Sequence, residues 1–184
     1  MRYNFFTLTI ITILIASCAQ SLDVNLISKQ SIGLLTDSTQ VRDLQSIFFN
    51  DSIAKFIGGN KFTGANNNIE IFDKSGNNLL TLTPKQITDS TSTIKSIQVI
   101  AERFKTSKGL NTKSTFKTIK DNYKISSIQN TIRNIVVTVN EINSFFTIDK
   151  NELPAELRFD MNLKIEAIQI PENAKIKGFF IQWD

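Results

Sequence analysis

The 184-residue chain has no histidine and a single cysteine. The missing histidine removes the commonest general base, the commonest zinc ligand and the usual switch near neutral pH. It also excludes Ser-His-Asp and Cys-His catalysis. With one thiol there is no internal disulfide, so the folded part depends on its apolar core. Past the first eighteen residues no stretch is long and apolar enough for a transmembrane helix. No run of Lys and Arg reaches the length of a polybasic patch, and the formal net charge is only +4. Dispersed charge of that size argues against a nucleic-acid surface. A Gly-rich phosphate loop is also missing: Gly58-Gly59 runs into Asn60-Lys61 and reads as part of an exposed Gly- and Asn-rich turn over Gly58–Asn68.

What is present begins at the N-terminus. Arg2 supplies a positive start, Phe5 to Ile15 is apolar apart from threonines, and Ile15-Ala16-Ser17 leads into Cys18. A charged start, a short apolar run, small residues and then a cysteine is the layout of a bacterial lipoprotein signal. The apolar run is too short to span a bilayer, which needs about 20 residues. The reading is a signal peptide over 1–17 and lipid attachment, including palmitate, at Cys18. Residues 18–27 form a lipidated tether, and the membrane is reached through the N-terminal lipid. Without the signal the chain keeps 20 basic and 17 acidic residues, a balance of +3. Ala19 after the cysteine suits outer-membrane sorting in enterobacteria, so the expected place is the cell envelope, at the outer membrane.

Laid against itself, the chain repeats. Gly33, Leu34, Thr36, Ser38 and Thr39 recur as Gly109, Leu110, Thr112, Ser114 and Thr115. One residue of slip later, Val41, Leu44 and Phe48 match Phe116, Ile119 and Tyr123. That helical spacing predicts two short amphipathic helices, with Ser38 or Thr39, and Ser114 or Thr115, as N-caps. Gly33 and Gly109 fall in the preceding turn, where a positive φ is expected. Hairpins follow over Ile69–Leu82 and Ile135–Ile148. Each half closes on a strand, Ile94–Val99 and Ile176–Trp183, the second so apolar that it reads as central and covered on both faces. The fold class is α+β: two similar halves, 28–105 and 106–184, each a short helix followed by antiparallel strands, in one compact domain.

Candidate chemistry is sparse. Ser114 and Lys117 have Ser-x-x-Lys spacing, which could pair a nucleophile with a base, but a cap and a solvated lysine account for them. Asp149 with Glu152, and Glu156 with Asp160, could do acid–base work on a glycan; a solvated face accounts for both pairs. Asp73, Ser75 and Asn77 around Gly76 alternate as in some calcium loops, yet no glutamate follows at the required spacing, so a tight turn is the better reading. No catalytic residue, cofactor site or metal site is assigned.

The lipobox, Ile32-Gly33-Leu34-Leu35-Thr36 with Ser38-Thr39, Ile94-x-x-Ile97-x-Val99, Thr106-x-x-Gly109-Leu110 with Ser114-Thr115, and Ile176–Trp183 together resemble the envelope-stress-regulated (RpoE-regulated) lipoproteins. They are also similar to small lipoproteins of Bacteroidetes-type bacteria. That resemblance implies an envelope lipoprotein and brings no functional residues. The tandem helix-plus-sheet layout also looks like outer-membrane assembly lipoproteins and β-lactamase-inhibitor proteins, both of which act by binding proteins. The expected function is therefore non-enzymatic binding or scaffolding, with an envelope protein as partner. The alternatives are a carboxylate-dependent glycan-acting enzyme and a small-ligand carrier.

Overall fold

Ile, Val, Phe and Leu alternate with polar residues in short runs, and these runs become strands with one buried side. In the computed structural model, which describes residues 23–55, 68–86 and 88–183, eight of them join one antiparallel sheet. They are β4 (Ser52–Lys55), β5 (Ile69–Phe72), β6 (Asn78–Pro84), β7 (Ile94–Val99), β9 (Ser127–Asn130), β10 (Asn134–Val139), β11 (Ser144–Asp149) and β12 (Ile176–Gln182). Their order is β4-β5-β6-β7-β12-β11-β10-β9. Read inward from either edge, the strands follow chain order. The final strands of the two runs meet at the centre, Phe179 opposite Val99 and Ile181 opposite Ile97. The signal segment 1–17, Cys18, the first part of the tether and all but the last residue of the Gly58–Asn68 turn lie outside the described residues.

A second, smaller sheet joins β1 (Leu26–Ile27), β2 (Ser31–Ile32), β3 (Leu35–Thr36) and β8 (Lys105–Thr106), in the order β3-β2-β1-β8. Leu26 and Ile27, read from the sequence as tether, are therefore part of the folded body, and Ile27 is buried. A two-residue strand is too short to show alternation, so the sequence pattern could not reveal it. β8 runs parallel to β1 and straddles the expected boundary at 105/106.

The helical layer is thin. A 3₁₀ turn at Val41–Asp43 runs into the single-turn helix α1 (Leu44–Ile47), and α2 covers Phe116–Asn122. Val41, Leu44, Phe116 and Ile119 turn into the core, in one cluster with Ile71, Leu80, Ile97, Val137, Phe146 and Phe179. The expected capping does not occur. Thr115 is the N-cap residue of α2 without a side-chain cap bond. Ser114 Oγ accepts from the N–H of Asn111, and Thr39 Oγ1 from that of Thr36, so both hydroxyls close the preceding turn. The free N–H groups at the helix starts are satisfied by backbone carbonyls: Val41 by Ser92 and Arg42 by Ser90, Phe116 by Ala174 and Lys117 by Glu172.

β12 is central, as its composition suggests, but it is covered on one face only. Ile176, Phe179 and Ile181 are buried, whereas Lys177 and Gln182 are exposed and Phe180 is half-buried. Its apolar excess has another origin. Phe180 stacks on the open face with Phe145, ring centroids 4.8 Å apart and planes 7° from parallel.

Candidate binding surfaces

The residues singled out for catalysis are held in structural roles. Ser114 is engaged with Asn111, and Lys117 Nζ lies 2.8 Å from Asp121 and 3.4 Å from Glu172. The hydrogen bond to Asp121, then the charges of Asp121 and Glu172, raise the Lys117 pKa. A lysine base requires the opposite shift. Asp149 Oδ2 pairs with Lys177 Nζ at 2.8 Å, while Glu152 Oε2 accepts from the N–H of Lys175. Glu156 and Asp160 are exposed, and Asp160 Oδ1 accepts from the N–H of Asn162. In the Asp73 turn, Oδ1 accepts from the N–H groups of Ser75 and Asn77 and Oδ2 from the Asn77 amide. That carboxylate closes an Asx turn. Among the described residues no three His, Cys, Asp or Glu side chains cluster in a way that could hold a metal ion.

Two surfaces stand out instead. The first is the open face of the large sheet. The register sets Thr138, Phe145, Phe180, Gln98, Thr81 and Glu70 in one row across six strands, each partly exposed. The Phe pair lies near its middle. Gly178 makes the pair possible, because a Cβ there would stand 2.6 Å from Phe180 Cε2 and 2.8 Å from Thr147 Oγ1. The ring lies over the space the missing side chain leaves.

The second is an apolar groove of about 310 Å³ beside the first described residues. Ile32, Phe48 and Phe104 form its buried wall. Val24 (56% exposed), Leu34 (48%) and Phe49 (71%) stand at its edge. Gly33, at φ 56°, brings the β2–β3 turn against the Val24 carbonyl, where a Cβ would lie 2.1 Å from the oxygen. The close approach fixes Val24 and Leu34 as neighbours. Sequence reading missed this groove, since Val24 fell in the tether and Phe49 was given no role. The available signal was Phe48-Phe49, adjacent aromatics of which a helix face can bury only one.

Fold and surfaces together define a mixed α+β protein built on an antiparallel sheet with one open side. No family model matches the chain, and no curated protein matches it. Among solved structures, the uncharacterized protein yfeY from Escherichia coli has a similar fold, with a TM-score of 0.53 at 17% identity, covering 85% of this chain and 99% of that one. At that identity the likeness is one of fold alone. No helix among the described residues is long and apolar enough to cross a membrane, which leaves β-barrels unaddressed.

Proposed function

We propose that the chain is an envelope lipoprotein, attached at the outer membrane through Cys18, that acts by binding a protein partner rather than by catalysis. The observation that carries the binding role is the apolar groove edged by Val24, Leu34 and Phe49. Large apolar groups exposed together mark contact sites on otherwise polar surfaces. The groove also lies close to the anchor point. From Cys18 to Val24 there is at most about 22 Å of extended chain, so a lipid on Cys18 keeps this edge near the bilayer. The envelope-stress lipoprotein resemblance and the signal layout support the same placement.

The same reading takes the fold as two similar halves. Support comes from matched backbone bonds: the helix start donates to the carbonyls two and four residues before the closing strand, Ser92 and Ser90 in one half and Ala174 and Glu172 in the other. The bridges Gln40–Thr93 and Thr115–Lys175 match likewise.

Two measurements test the proposal. Labelled palmitate should enter the parent protein and not Cys18→Ala; equal labelling removes the anchor. Phe49→Asp should abolish recovery of a specific envelope protein that the parent retains from detergent-solubilised membranes. Unchanged recovery moves binding away from the groove.

A further inference from the structure

The halves differ most in the connection to their closing strand. Residues 85–93 join β6 to β7, whereas residues 150–175 join β11 to β12. A connection that long, held only by 3₁₀ turns, is unusual in a compact domain and commonly functional. Here it is well fastened. Leu153, Leu157, Ile165 and Ile170 are buried, and the Asn130 amide donates to the carbonyls of Asp160 and Leu163. What it builds against the start of β10 is a cavity of about 300 Å³ lined by Arg133, Lys150 and Arg158, with Ile132 and Phe159 among its lining.

Lys150 is the unusual member. The residue is only 5% exposed. Among the described residues its ammonium has no carboxylate within 4 Å, and its one hydrogen-bond partner is Met161 Sδ at 3.9 Å. Thioether sulfur is a weak acceptor, so the Lys150 ammonium keeps donors for a ligand. Arg133 and Arg158 have no ion-pair partner among the described residues either. Arg158 uses only Nε, on the Leu153 carbonyl, so the outer nitrogens of its guanidinium are left for a ligand. The one acid in the lining, Asp149, is already bound to Lys177 and to the Asn151 N–H. The lining therefore carries three basic residues and one acid, and that acid is already engaged by Lys177.

An anion would complete this site, and two guanidinium groups with an ammonium suit phosphate oxygens. The surrounding surface adds a second requirement. Ile132 is 78% exposed and Phe159 86%, apolar groups that an inorganic ion would leave uncovered. We propose that the cavity framed by Arg133, Lys150 and Arg158 binds the phosphate headgroup of an anionic lipid, whose apolar part covers Ile132 and Phe159. Basic pockets are known to bind anionic lipid headgroups. The site stands independently of the anchor at Cys18 and of the groove beside it.

The test titrates the purified full chain in non-ionic detergent, followed by calorimetry, with three probes: dihexanoyl phosphatidic acid, dihexanoyl phosphatidylcholine and inorganic phosphate. Saturable binding of phosphatidic acid, with the other two weaker by about tenfold or more, is expected. Loss of one charge-assisted contact in Arg133→Gln or Lys150→Met should weaken it by about tenfold. Inorganic phosphate binding as tightly as phosphatidic acid would overturn the lipid assignment. Equal binding of phosphatidylcholine, or undiminished binding in the variants, would overturn the site. Arg133 is exposed, so Arg133→Gln keeps the test decisive if Lys150→Met does not fold.

Discussion

Phe145 and Phe180 face each other across β11 and β12, stacked on the open side of the sheet, while their chain neighbours Phe146 and Phe179 meet on the buried side, centroids 4.7 Å apart. Two Phe-Phe dipeptides thus pair on both faces at once. Because successive side chains alternate faces, a one-residue slip would put each inward ring outward. The paired dipeptides fix the register of β11 against β12.

Gly178→Ala should break this arrangement. The new methyl would collide with the Phe180 ring and Thr147 Oγ1, and overpacking of this kind costs about 1–3 kcal/mol. In the background of Phe180→Ala the same change should cost much less. Urea unfolding of the two singles and the double measures the coupling; additive losses would show that the ring and the glycine are independent.

Gly33 and Gly109 should respond differently to substitution. Both have positive φ, 56° at Gly33 and 78° at Gly109. An alanine at 109 meets open space, so only the backbone preference of about 1–2 kcal/mol is lost. An alanine at 33 also meets the Val24 carbonyl, and should cost clearly more while displacing Val24 and Leu34. Comparison of the two denaturant midpoints checks this; equal losses would contradict the close approach.

That pair shows what sequence could and could not reveal. A glycine before a helical pattern signals positive φ, and both positions have it. The hairpins, the strands Ile94–Val99 and Ile176–Gln182 and the two helix positions were likewise legible, because alternation and helical spacing persist over several residues. The hydroxyls of Thr39 and Ser114 misled, since Ser and Thr before a helix serve a turn as readily as a cap. Long-range backbone bonds from the Val41 and Phe116 N–H groups to the Ser92 and Ala174 carbonyls took the capping role, and no local pattern encodes them. Val24, Phe49 and Lys150 belong to surfaces assembled from separate segments, so their partners cannot be read from neighbours in the chain.

Acid should weaken the fold partly through Asp73. Hydrogen bonds from the Asn77 side chain and backbone, then from the Ser75 N–H, hold its carboxyl below the ordinary carboxylate value. A depressed folded-state pKa stabilises the fold above the unfolded value, about 3.9, and that contribution disappears as pH falls through the folded pKa. Asp73→Asn should therefore flatten part of the acid limb of a stability–pH curve and leave its neutral plateau sloping no more than the parent's. An identical acid limb in the variant would remove Asp73 from the account.

Removal of β12 should be the most damaging change. Truncation after Lys175 deletes Ile176, Phe179, Ile181 and Trp183, all buried. At about 1.5–3 kcal/mol for each side chain, the loss approaches the whole stability of a domain, about 5–15 kcal/mol. It also removes the strand that joins β7 to β11, leaving two open edges in the middle of the sheet. Trp183 further ties the C-terminus to the N-terminal hairpin, its indole N–H donating to the Lys29 carbonyl at 3.2 Å. The truncated chain should show no cooperative thermal transition and should aggregate on expression. Trp183→Phe keeps the strand and most of the buried surface but loses the hydrogen bond, and should cost about 0.5–1.5 kcal/mol for that bond. A cooperative melt of the truncated chain near the parent temperature would show that each run of four strands holds its own core, and that β12 joins the runs without being required by either.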